Sequence, residues 1–393
     1  MSAPVFVCFS RFLWRDRWET SRHHLVRGLA RRYRTVYVEP APNLGRLLRG
    51  LSDRSALLEL RRPVDEPPLR VVRPPRPELP LEPFAVSRPL FDHLRRAEGR
   101  AQAACVGPFL PQGSPLVLFN SFYPARALGA VEALRPQLFV YHSTDNIAEL
   151  AHGGSRGAMA LAATEREAAA RADLVVASSE VLAELLTAVN PATELLANGV
   201  DAENFAPALH EGPIPDDLPP GPRLFFVGNV EGRRLDVDLL CALAAYDRSW
   251  AVVLVGPVGL PAPLRARLAA EPNVHLLGAR PRARLADYLR AADVCLIPYR
   301  ENPLTRAIYP LKLNEYLAAG RPVVATPFSP SLAGFAGVVD VAPASEFADA
   351  VKAVVDNPGR MAPSAVAARV AAAAANSWEA RVERLAQLVE ARL

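Results

Sequence analysis

The segment from Val294 to Thr326 constrains the fold more than any other part of the sequence. It begins with a short apolar run, Val294 to Pro298, of the kind that forms a strand buried on both faces. A polar loop follows, and Pro310 stands where a helix begins, at a position that needs no amide proton. Gly320 can close that helix in a left-handed conformation, and Val323 to Thr326 forms a second apolar run. The segment therefore predicts a strand–helix–strand unit of a parallel α/β sheet.

The loop and the helix start of such a unit lie at the carboxyl edge of the sheet, where open α/β sheets bind ligands. The first amides of the helix and the positive end of its dipole suit a phosphate group, so we expect an anion site at Ile308, Tyr309, Pro310, Leu311 and Lys312. Glu315 follows on the same face, where its carboxylate could accept hydrogen bonds from both ribose hydroxyls. The pattern predicts a nucleoside diphosphate pocket. An exposed ion pair between Lys312 and Glu315 is the alternative.

The sequence PLKLNEYLAAGRPVVATP, which begins at Pro310, resembles the donor-nucleotide signature of GT-B glycosyltransferases. It is most similar to the family-four-like, retaining bacterial enzymes of the exopolysaccharide or teichuronic-acid group. The resemblance implies that Glu315 binds the nucleotide ribose and that Lys312 and nearby amides bind the diphosphate. Many members carry another glutamate eight positions earlier, near the donor sugar. This chain has Ala307 there and departs from the family at that contact.

The resemblance also assigns roles to a second group of residues in the same half of the chain. In the family, the loop after the first strand of the donor domain holds the donor phosphates. This implies roles for Gly228, Asn229, Arg233 and Arg234, with a solvated pair of arginines as the alternative. Arg280 stands where the family places its nucleobase pocket. The resemblance covers 1–40, 116–201 and 224–330, and it is absent over 41–115.

The length of 393 residues predicts two domains of about 150–200 residues each. We expect an N-terminal acceptor-side domain over 1–205, a proline-rich linker over 206–222 and a donor-binding domain over 223–375. Each should be a doubly wound, Rossmann-like α/β sheet, and the two should face a cleft as in GT-B enzymes. The resemblance implies that a final helix within 376–393 returns to the N-terminal domain. Dense prolines within 40–115 predict extended chain without a continuous helix, either as a surface connection or as an acceptor-side loop.

Polar residues follow two predicted strands of the N-terminal domain. His142 and Asp145 come after the strand that begins at Leu138, and Asn120 ends the strand before it. The carboxyl ends of parallel strands share one edge, so these residues are candidates for contact with donor sugar or acceptor. Turn formation and capping are the alternative roles. If the reaction inverts the anomeric configuration, His142 or Asp145 could deprotonate the acceptor; if it retains the configuration, no protein base is required.

The sequence gives no metal site and no cofactor motif. The four cysteines are widely spaced, the adjacent Asp216 and Asp217 lie in the proline-rich linker, and the first loop lacks the glycines of a dinucleotide fingerprint. We therefore expect no metal and no cofactor; a UDP-, GDP- or dTDP-linked sugar is the co-substrate, and nucleic acid is not expected as a partner. No apolar run approaches the ~18–20 residues that span a bilayer, and no signal peptide is apparent. We expect a cytoplasmic protein.

The charge is uneven along the chain. Residues 1–120 hold 20 arginines against 11 acidic residues, a net +9, which leaves 4 − 9 = −5 for the remainder. The family resemblance implies an acceptor that is lipid-linked or phosphate-containing, and the charge bias is consistent with peripheral contact to an anionic inner membrane surface through Arg27, Arg31 and Arg34. Ordinary solvated arginine, and a carbohydrate or small-molecule acceptor, are the alternatives. Two further functions remain open from the sequence: a nucleotide-sugar epimerase of the same fold and a non-catalytic nucleotide-sugar-binding subunit.

Overall fold

The computed structural model of the chain describes residues 2–10, 12–14, 20–40, 65–66, 68–74, 87–121, 123–150 and 156–393. The chain divides into two compact units. Unit 1 comprises Met1–Ala197 and Arg381–Leu393, and unit 2 comprises Asn198–Ala380. In the ranges that the structure describes, no helix is long and apolar enough to cross a bilayer.

The sheet of unit 1 follows the order β3-β4-β2-β1-β5-β6-β7-β8. Its strands are β1 (Val5–Ser10), β2 (Arg34–Val38), β3 (Asp65–Glu66), β4 (Leu69–Val72), β5 (Leu116–Ser121), β6 (Leu138–Ser143), β7 (Leu174–Ala177) and β8 (Thr193–Leu195). Every neighbouring pair is parallel except β3 with β4. The strands β1 and β6 are buried along their whole length because helices cover both faces of a doubly wound sheet. The order reverses beside β1, as the alternation of strand and helix patterns predicts.

The helices of unit 1 present one apolar face each to this sheet. They are α1 (Ser21–Ala30), α2 (Arg88–Val106), α3 (Pro124–Leu134), α4 (Ile147–Leu150), α5 (Arg156–Arg171) and α6 (Glu180–Thr187). The sequence pattern predicts a helix from Thr20 to Tyr33 with Leu25, Val26, Leu29 and Tyr33 on its core face. Leu25, Val26 and Leu29 are buried in α1, as this pattern predicts. The helix ends at Ala30 rather than at the predicted Tyr33, and β2 begins at Arg34.

The prediction for residues 40–115 is wrong over its second half. Arg88–Val106 forms a helix of 19 residues, with its only proline in the first turn, where a missing amide proton costs nothing. Leu69–Val72 is a strand of the parallel sheet, paired with β2. The remainder of the proline-dense run, 41–64 and 75–86, lies outside the described residues, as does most of the predicted first loop.

The sheet of unit 2 follows the order β11-β10-β9-β12-β13-β14, and all of its neighbouring pairs are parallel. Its strands are β9 (Arg223–Val227), β10 (Ala251–Val255), β11 (Val274–Gly278), β12 (Val294–Ile297), β13 (Val323–Ala325) and β14 (Asp340–Val341). Its helices are α7 (Val237–Tyr246), α8 (Ala262–Ala269), α9 (Leu285–Arg290), α10 (Pro303–Arg306), α11 (Leu311–Ala318), α12 (Phe347–Asp356) and α13 (Pro363–Ala374). The predicted unit from Val294 to Thr326 is confirmed as β12, α10, α11 and β13.

The segment predicted as a linker, 206–222, is held against unit 2 by arginines. The three guanidinium nitrogens of Arg290 donate to the carbonyl oxygens of His210, Pro213 and Pro207 at 2.8–2.9 Å. Arg321 donates to the carbonyl oxygen of Ala208 at 2.8 Å. Pro207 and Ala208 lie in the short 3-10 helix Ala206–Leu209, whereas His210 and Pro213 follow it in irregular proline-rich chain. The two arginines therefore fasten backbone carbonyls of this segment to the elements that carry them.

Residues from the C-terminal helix α14 (Trp378–Glu390) complete the core of unit 1. Leu385, Ala386, Leu388 and Val389 are buried. Val382 packs so closely on Gly28 of α1 that a β-carbon at Gly28 would overlap its Cγ2. Tyr33 donates a hydrogen bond to Glu390 at 2.6 Å. Trp378 packs against Gly199 within unit 2.

Candidate functional site

The topological switch point of unit 2 lies between β9 and β12, which are neighbours in the sheet but far apart in sequence. In open α/β sheets, helices leave such a pair of strands toward opposite faces, and a crevice opens at their carboxyl ends. The loop that follows β9 begins at Gly228, and the chain that follows β12 leads through α10 to the start of α11. The residues predicted to bind a nucleotide therefore surround one switch point.

Gly228 and Lys312 are in direct contact. A β-carbon placed on Gly228 would overlap Lys312 Cε and would lie 2.5 Å from Nζ. The ammonium also stands 5.5 Å from the centroid of the Phe226 ring, within the range of a cation–π interaction. Glycine is required here for a second reason, since its φ is +148°. The lysine thus lies along bare backbone at the end of β9, with its charge at the switch point.

The start of α11 offers fewer amide donors than the sequence predicts. The amide of Ile308 donates to the carbonyl oxygen of Thr305 at 3.0 Å, because the short helix α10 ends there. Pro310 has no amide proton, and the buried Tyr309 has its hydroxyl in contact with Asn376. The expectation of free amides from Ile308 onward is therefore corrected: Ile308 and Pro310 have no amide proton to offer an anion, whereas the amides of Leu311 and Lys312 donate to no acceptor within the described part of the chain.

Glu315 occupies the next turn of α11 and is mostly buried, with 21% of its side chain exposed. Its carboxylate accepts no hydrogen bond from the residues that the structure describes. Burial raises the pKa of Glu315, while the positive charges of Arg282 and Lys312 oppose that rise. Arg282 Nη1 lies 3.9 Å from Glu315 Oε1, an ion pair that is too long for a hydrogen bond. A half-buried carboxylate without donors is suited to accept hydrogen bonds from a ligand.

The loop 229–235 is tied to the chain that follows β12. Asn302 donates from its side-chain nitrogen to the carbonyl oxygen of Arg233 at 3.1 Å, and the amide of Arg300 donates to the carbonyl oxygen of Arg234 at 2.7 Å. The side chains of Asn229 and Arg233 are exposed. Arg234 forms an ion pair with Glu231 at 3.1 Å. The backbone of this loop is thus fixed beside the switch point; phosphate binding by its side chains remains a prediction.

Arg280 is engaged within the protein. Its Nε donates to the hydroxyl of Tyr288, its Nη1 to the carbonyl oxygen of Leu277 and its Nη2 to Asp217, all within 2.7 Å. The ion pair with Asp217 holds the 206–222 segment to the turn after β11. The family resemblance implied that Arg280 lies at the nucleobase pocket. In the structure, the arginine close to Glu315 is Arg282, two residues further along the chain. No sequence motif distinguishes the two, because the separation is set by how the turn 282–284 folds.

In unit 1, His142 lies on β6 with only 1% of its surface exposed. Its Nδ1 and Ser121 Oγ form a hydrogen bond of 3.0 Å across β5 and β6, and its ring stacks on Phe119 at 5.7 Å between centroids. Burial, reinforced by the charge of Arg22, lowers the pKa of His142 to about 3. The imidazole is therefore neutral at physiological pH and only weakly basic, which disfavours the role of general base that the sequence left open.

The opposite face of β6 carries a carboxyl group that the sequence did not point to. Glu165 of α5 accepts hydrogen bonds from the hydroxyls of Tyr141 and Ser143, each at 3.1 Å. Burial raises the pKa of Glu165 to about 7, against the lowering effect of the two hydroxyls, and the nearby negative charge of Asp145 adds to the rise. The predicted Asp145 is partly exposed just after β6. Two interacting carboxyl groups with unequal environments therefore lie near this strand end.

No group of three or more histidine, cysteine, aspartate or glutamate side chains in metal-binding proximity occurs among the residues that the structure describes.

Comparison with known proteins identifies the class to which this geometry belongs. Over nearly its whole length the chain has the α/β two-domain fold of GT-B proteins. The E. coli trehalose-6-phosphate structure bound with UDP-2-fluoro glucose aligns with a TM-score of 0.70 and 14% identity, covering 98% of both chains. The sucrose-phosphate synthase of Thermosynechococcus elongatus aligns with a TM-score of 0.67 and 18% identity, covering 99% of this chain and 98% of its own. Identities this low establish the fold alone, and the predicted fold class is confirmed.

The sequence comparisons are more specific but cover less of the chain. Residues 221–357 match the family model described as "Glycosyl transferases group 1". A Bacillus subtilis (strain 168) protein named "Putative teichuronic acid biosynthesis glycosyltransferase TuaH" is 32% identical over 163 residues, which span 40% of this chain and 41% of that protein. The matched family segment contains Gly228, Lys312 and Glu315. The predicted resemblance to GT-B glycosyltransferases is confirmed, and it is strongest in unit 2.

Proposed function

We propose that the protein is a glycosyltransferase that moves a sugar from a nucleoside-diphosphate sugar to an acceptor hydroxyl. The observation that carries the proposal is the arrangement at the switch point of unit 2. The carboxylate of Glu315 accepts no hydrogen bond from the described part of the chain, and it stands one turn from the ammonium of Lys312, which contacts the backbone at Gly228. The resemblance to the donor-nucleotide signature and the match over 221–357 support the same assignment. None of the relatives described above is an epimerase.

In this proposal each residue contacts one part of the donor. The two open amides at the start of α11 and the ammonium of Lys312 bind the diphosphate, which gains negative charge as the glycosidic bond breaks. Positive charge fixed at the leaving oxygen stabilises the transition state more than the ground state, so it lowers the barrier. Glu315 binds both ribose hydroxyls and orients the nucleotide. A ribose donor, UDP- or GDP-linked, satisfies both hydrogen bonds, whereas a dTDP-linked donor lacks one hydroxyl.

We propose that the reaction needs no metal, because protein groups neutralise the diphosphate. The family resemblance favours retention of configuration, for which no protein base is required. In unit 1, Asp145 and Glu165 are better placed than the buried His142 for hydrogen bonds to an acceptor hydroxyl, since Asp145 is partly exposed just after β6. The carboxyl group of Glu165 also accepts a proton more readily than His142, because its pKa is raised to about 7 while that of His142 is lowered to about 3.

A panel of UDP-, GDP- and dTDP-sugars tests the donor and the metal together. We expect the purified protein to release nucleoside diphosphate from a ribose-containing donor, and saturating chelator to leave most of that activity. Release that chelator abolishes and Mg²⁺ or Mn²⁺ restores would contradict the metal-independent mechanism. Binding of a nucleotide sugar with neither hydrolysis nor transfer to any acceptor tested would favour a non-catalytic subunit. This alternative is considered because the chain has Ala307 where many family members have a glutamate.

We further propose that unit 1 makes peripheral contact with an anionic lipid surface at the cytoplasmic face of the membrane. Of the three arginines named from the sequence, Arg31 and Arg34 are exposed, whereas Arg27 is half-buried with its guanidinium carbon 5.4 Å from the centroid of the Trp14 ring. Arg31 and Arg34 also line a cavity of about 440 Å³. Each basic residue near an anionic membrane contributes about 1 kcal/mol, and salt screens the attraction.

Sedimentation with vesicles that contain anionic phospholipid tests this contact. We expect binding that decreases as salt increases, and a clear loss in the double variant Arg31→Gln/Arg34→Gln. Arg265→Gln, an exposed arginine of unit 2, is the matched control and should bind as the wild type does. Equal sedimentation of both variants, or none at low salt, would argue that these arginines are ordinary solvated side chains.

A further inference from the structure

Arg282 reaches Glu315 from a different part of unit 2. It begins the short turn 282–284 that follows β11, whereas Glu315 lies on α11. Its Nη1 is 3.9 Å from Glu315 Oε1. At that distance the two charges attract, but no hydrogen bond occupies either carboxylate oxygen. The cation therefore acts on Glu315 without using the positions that two hydroxyl groups would need.

The guanidinium of Arg282 is fixed by its surroundings. It lies over the ring of Phe205, 5.8 Å from the ring centroid, and Phe205 is itself buried. Its Nε is buried, with no acceptor among the residues that the structure describes, and 33% of the side chain is exposed. The neighbouring arginines pair with other carboxylates. Arg284 is 55% exposed and pairs with Asp287 at 2.8 Å, and Arg280 pairs with Asp217. In this turn, Arg282 is the arginine paired with Glu315.

Two cations face Glu315. Lys312 approaches from its own helix, one turn earlier, and Arg282 approaches from the turn after β11. Both oppose the effect of burial, which raises the pKa of the carboxyl group. In the proposed donor complex, Lys312 is also bound to the diphosphate, which neutralises part of its charge. Arg282 is then the cation that continues to favour the ionised form of Glu315.

We infer that Arg282 is a positioning residue of the donor site, which keeps Glu315 ionised so that its carboxylate can accept both ribose hydroxyls. The inference rests on the proposed function, since it assumes that Glu315 binds a ribose. It predicts that the affinity for a nucleoside diphosphate depends on pH in a manner that Arg282 controls. A purely structural arginine would affect the affinity equally at every pH.

The sign of this dependence follows from the charge. Removal of Arg282 raises the pKa of Glu315 further, so the carboxyl group becomes protonated at a higher pH. The affinities of the two proteins should be most similar at the alkaline end of the range, and as the pH falls the variant should lose the charged acceptor before the wild type does. Each unit of added pKa gives about a tenfold loss of affinity in the acidic range. Protonation of the ligand itself cancels when variant and wild type are compared at the same pH.

Calorimetric titration of the full chain with UDP and with GDP, from about pH 6 to pH 8.5, tests the inference. We expect the ratio of dissociation constants between Arg282→Met and wild type to increase at least fivefold, roughly, as the pH falls. Arg282→Lys, which keeps a cation, should show a smaller increase. Arg284→Met is the matched control from the same turn and should leave the ratio constant. If Arg282→Met fails to fold by circular dichroism, Arg282→Gln carries the same expectation.

A second test uses a double variant. Glutamine at position 315 cannot ionise, so Arg282→Met should produce no pH-dependent loss in the Glu315→Gln background. The role of Arg282 would be overturned, with donor binding intact, if the ratio of dissociation constants between Arg282→Met and wild type stayed constant with pH. The same conclusion would follow if that ratio changed equally in Arg284→Met. A wild-type protein that binds neither UDP nor GDP would instead overturn the proposed function, and the inference with it.

Discussion

Replacement of Glu315 by glutamine is expected to weaken the binding of UDP or GDP by about 1.5–3 kcal/mol, roughly 10- to 150-fold, the range for hydrogen bonds to a charged group. The amide keeps the shape of the side chain but offers one oxygen instead of two, so one ribose hydroxyl loses its acceptor. The effect should be large because no described group of the protein competes for the carboxylate.

Isothermal titration of the folded variant measures this loss. Glu211→Gln removes an exposed carboxylate from the 206–222 segment of the same unit and should bind with wild-type affinity. The 2′-deoxy form of the same nucleotide should bind the wild type more weakly than the ribonucleotide does. The substitution Glu315→Gln should also reduce the affinity for the 2′-deoxy form less than it reduces the affinity for the ribonucleotide. Unchanged affinity in Glu315→Gln would show that Glu315 does not bind the ribose and only forms an ordinary ion pair with its neighbours.

Replacement of Gly256 by alanine is expected to destabilise unit 2 by about 3 kcal/mol or more, the combined scale of backbone strain and overpacking. Gly256 directly follows β10 and has a φ of +148°. A β-carbon there would overlap the carbonyl oxygen of Gly228 and lie 2.6 Å from its carbonyl carbon. The obstacle is backbone, which cannot rotate away, whereas the obstacle at Gly228 is the flexible side chain of Lys312.

Calorimetric unfolding compares Gly256→Ala with Gly259→Ala, a glycine three residues further along the chain. A β-carbon at Gly259 would find its nearest neighbour at 3.9 Å, an ordinary contact, so that variant should unfold near the wild-type temperature. Because Gly228 must shift to relieve the overlap, Gly256→Ala should also weaken nucleoside diphosphate binding. Equal stability of the two variants would contradict this prediction, because it would show that the backbone at Gly228 and Gly256 can move apart at little cost.

Much of the fold follows from local pattern. Apolar runs with helical segments between them predict β1, β5, β6, β9 and β12 to within two residues, because a parallel sheet buries both faces of its strands. Helix α2 was missed because the prolines that precede it dominate the composition of 40–115, although only one proline lies within the helix. The helices α3 and α8 were missed as well, since each begins at or just before a proline that marks a helix start as readily as a turn.

The candidate site was predictable only where its residues share one short segment. Lys312 and Glu315 are three residues apart, so helical periodicity places them together, and the strand before Gly228 places that glycine at the same sheet edge. Arg282 meets Glu315, and Glu165 meets Tyr141, through packing between elements that are distant in sequence. Such contacts leave no periodic signal. The hydrogen bond from the Ile308 amide to the Thr305 carbonyl oxygen could not be predicted from the sequence either, because it depends on where a four-residue helix ends.

The packing of residues 381–393 into unit 1 has a consequence for how the protein is made. During synthesis, the ribosome completes residues 1–197 and then all of unit 2 before these residues emerge. Until then the groove beside Gly28 lacks Val382, and Tyr33 lacks Glu390. Unit 2 is continuous in sequence and can finish folding first, whereas unit 1 must wait in an open form. A fragment that ends at Ala197 would therefore expose apolar surface and be prone to aggregate, while a fragment spanning 198–380 carries all of its own core.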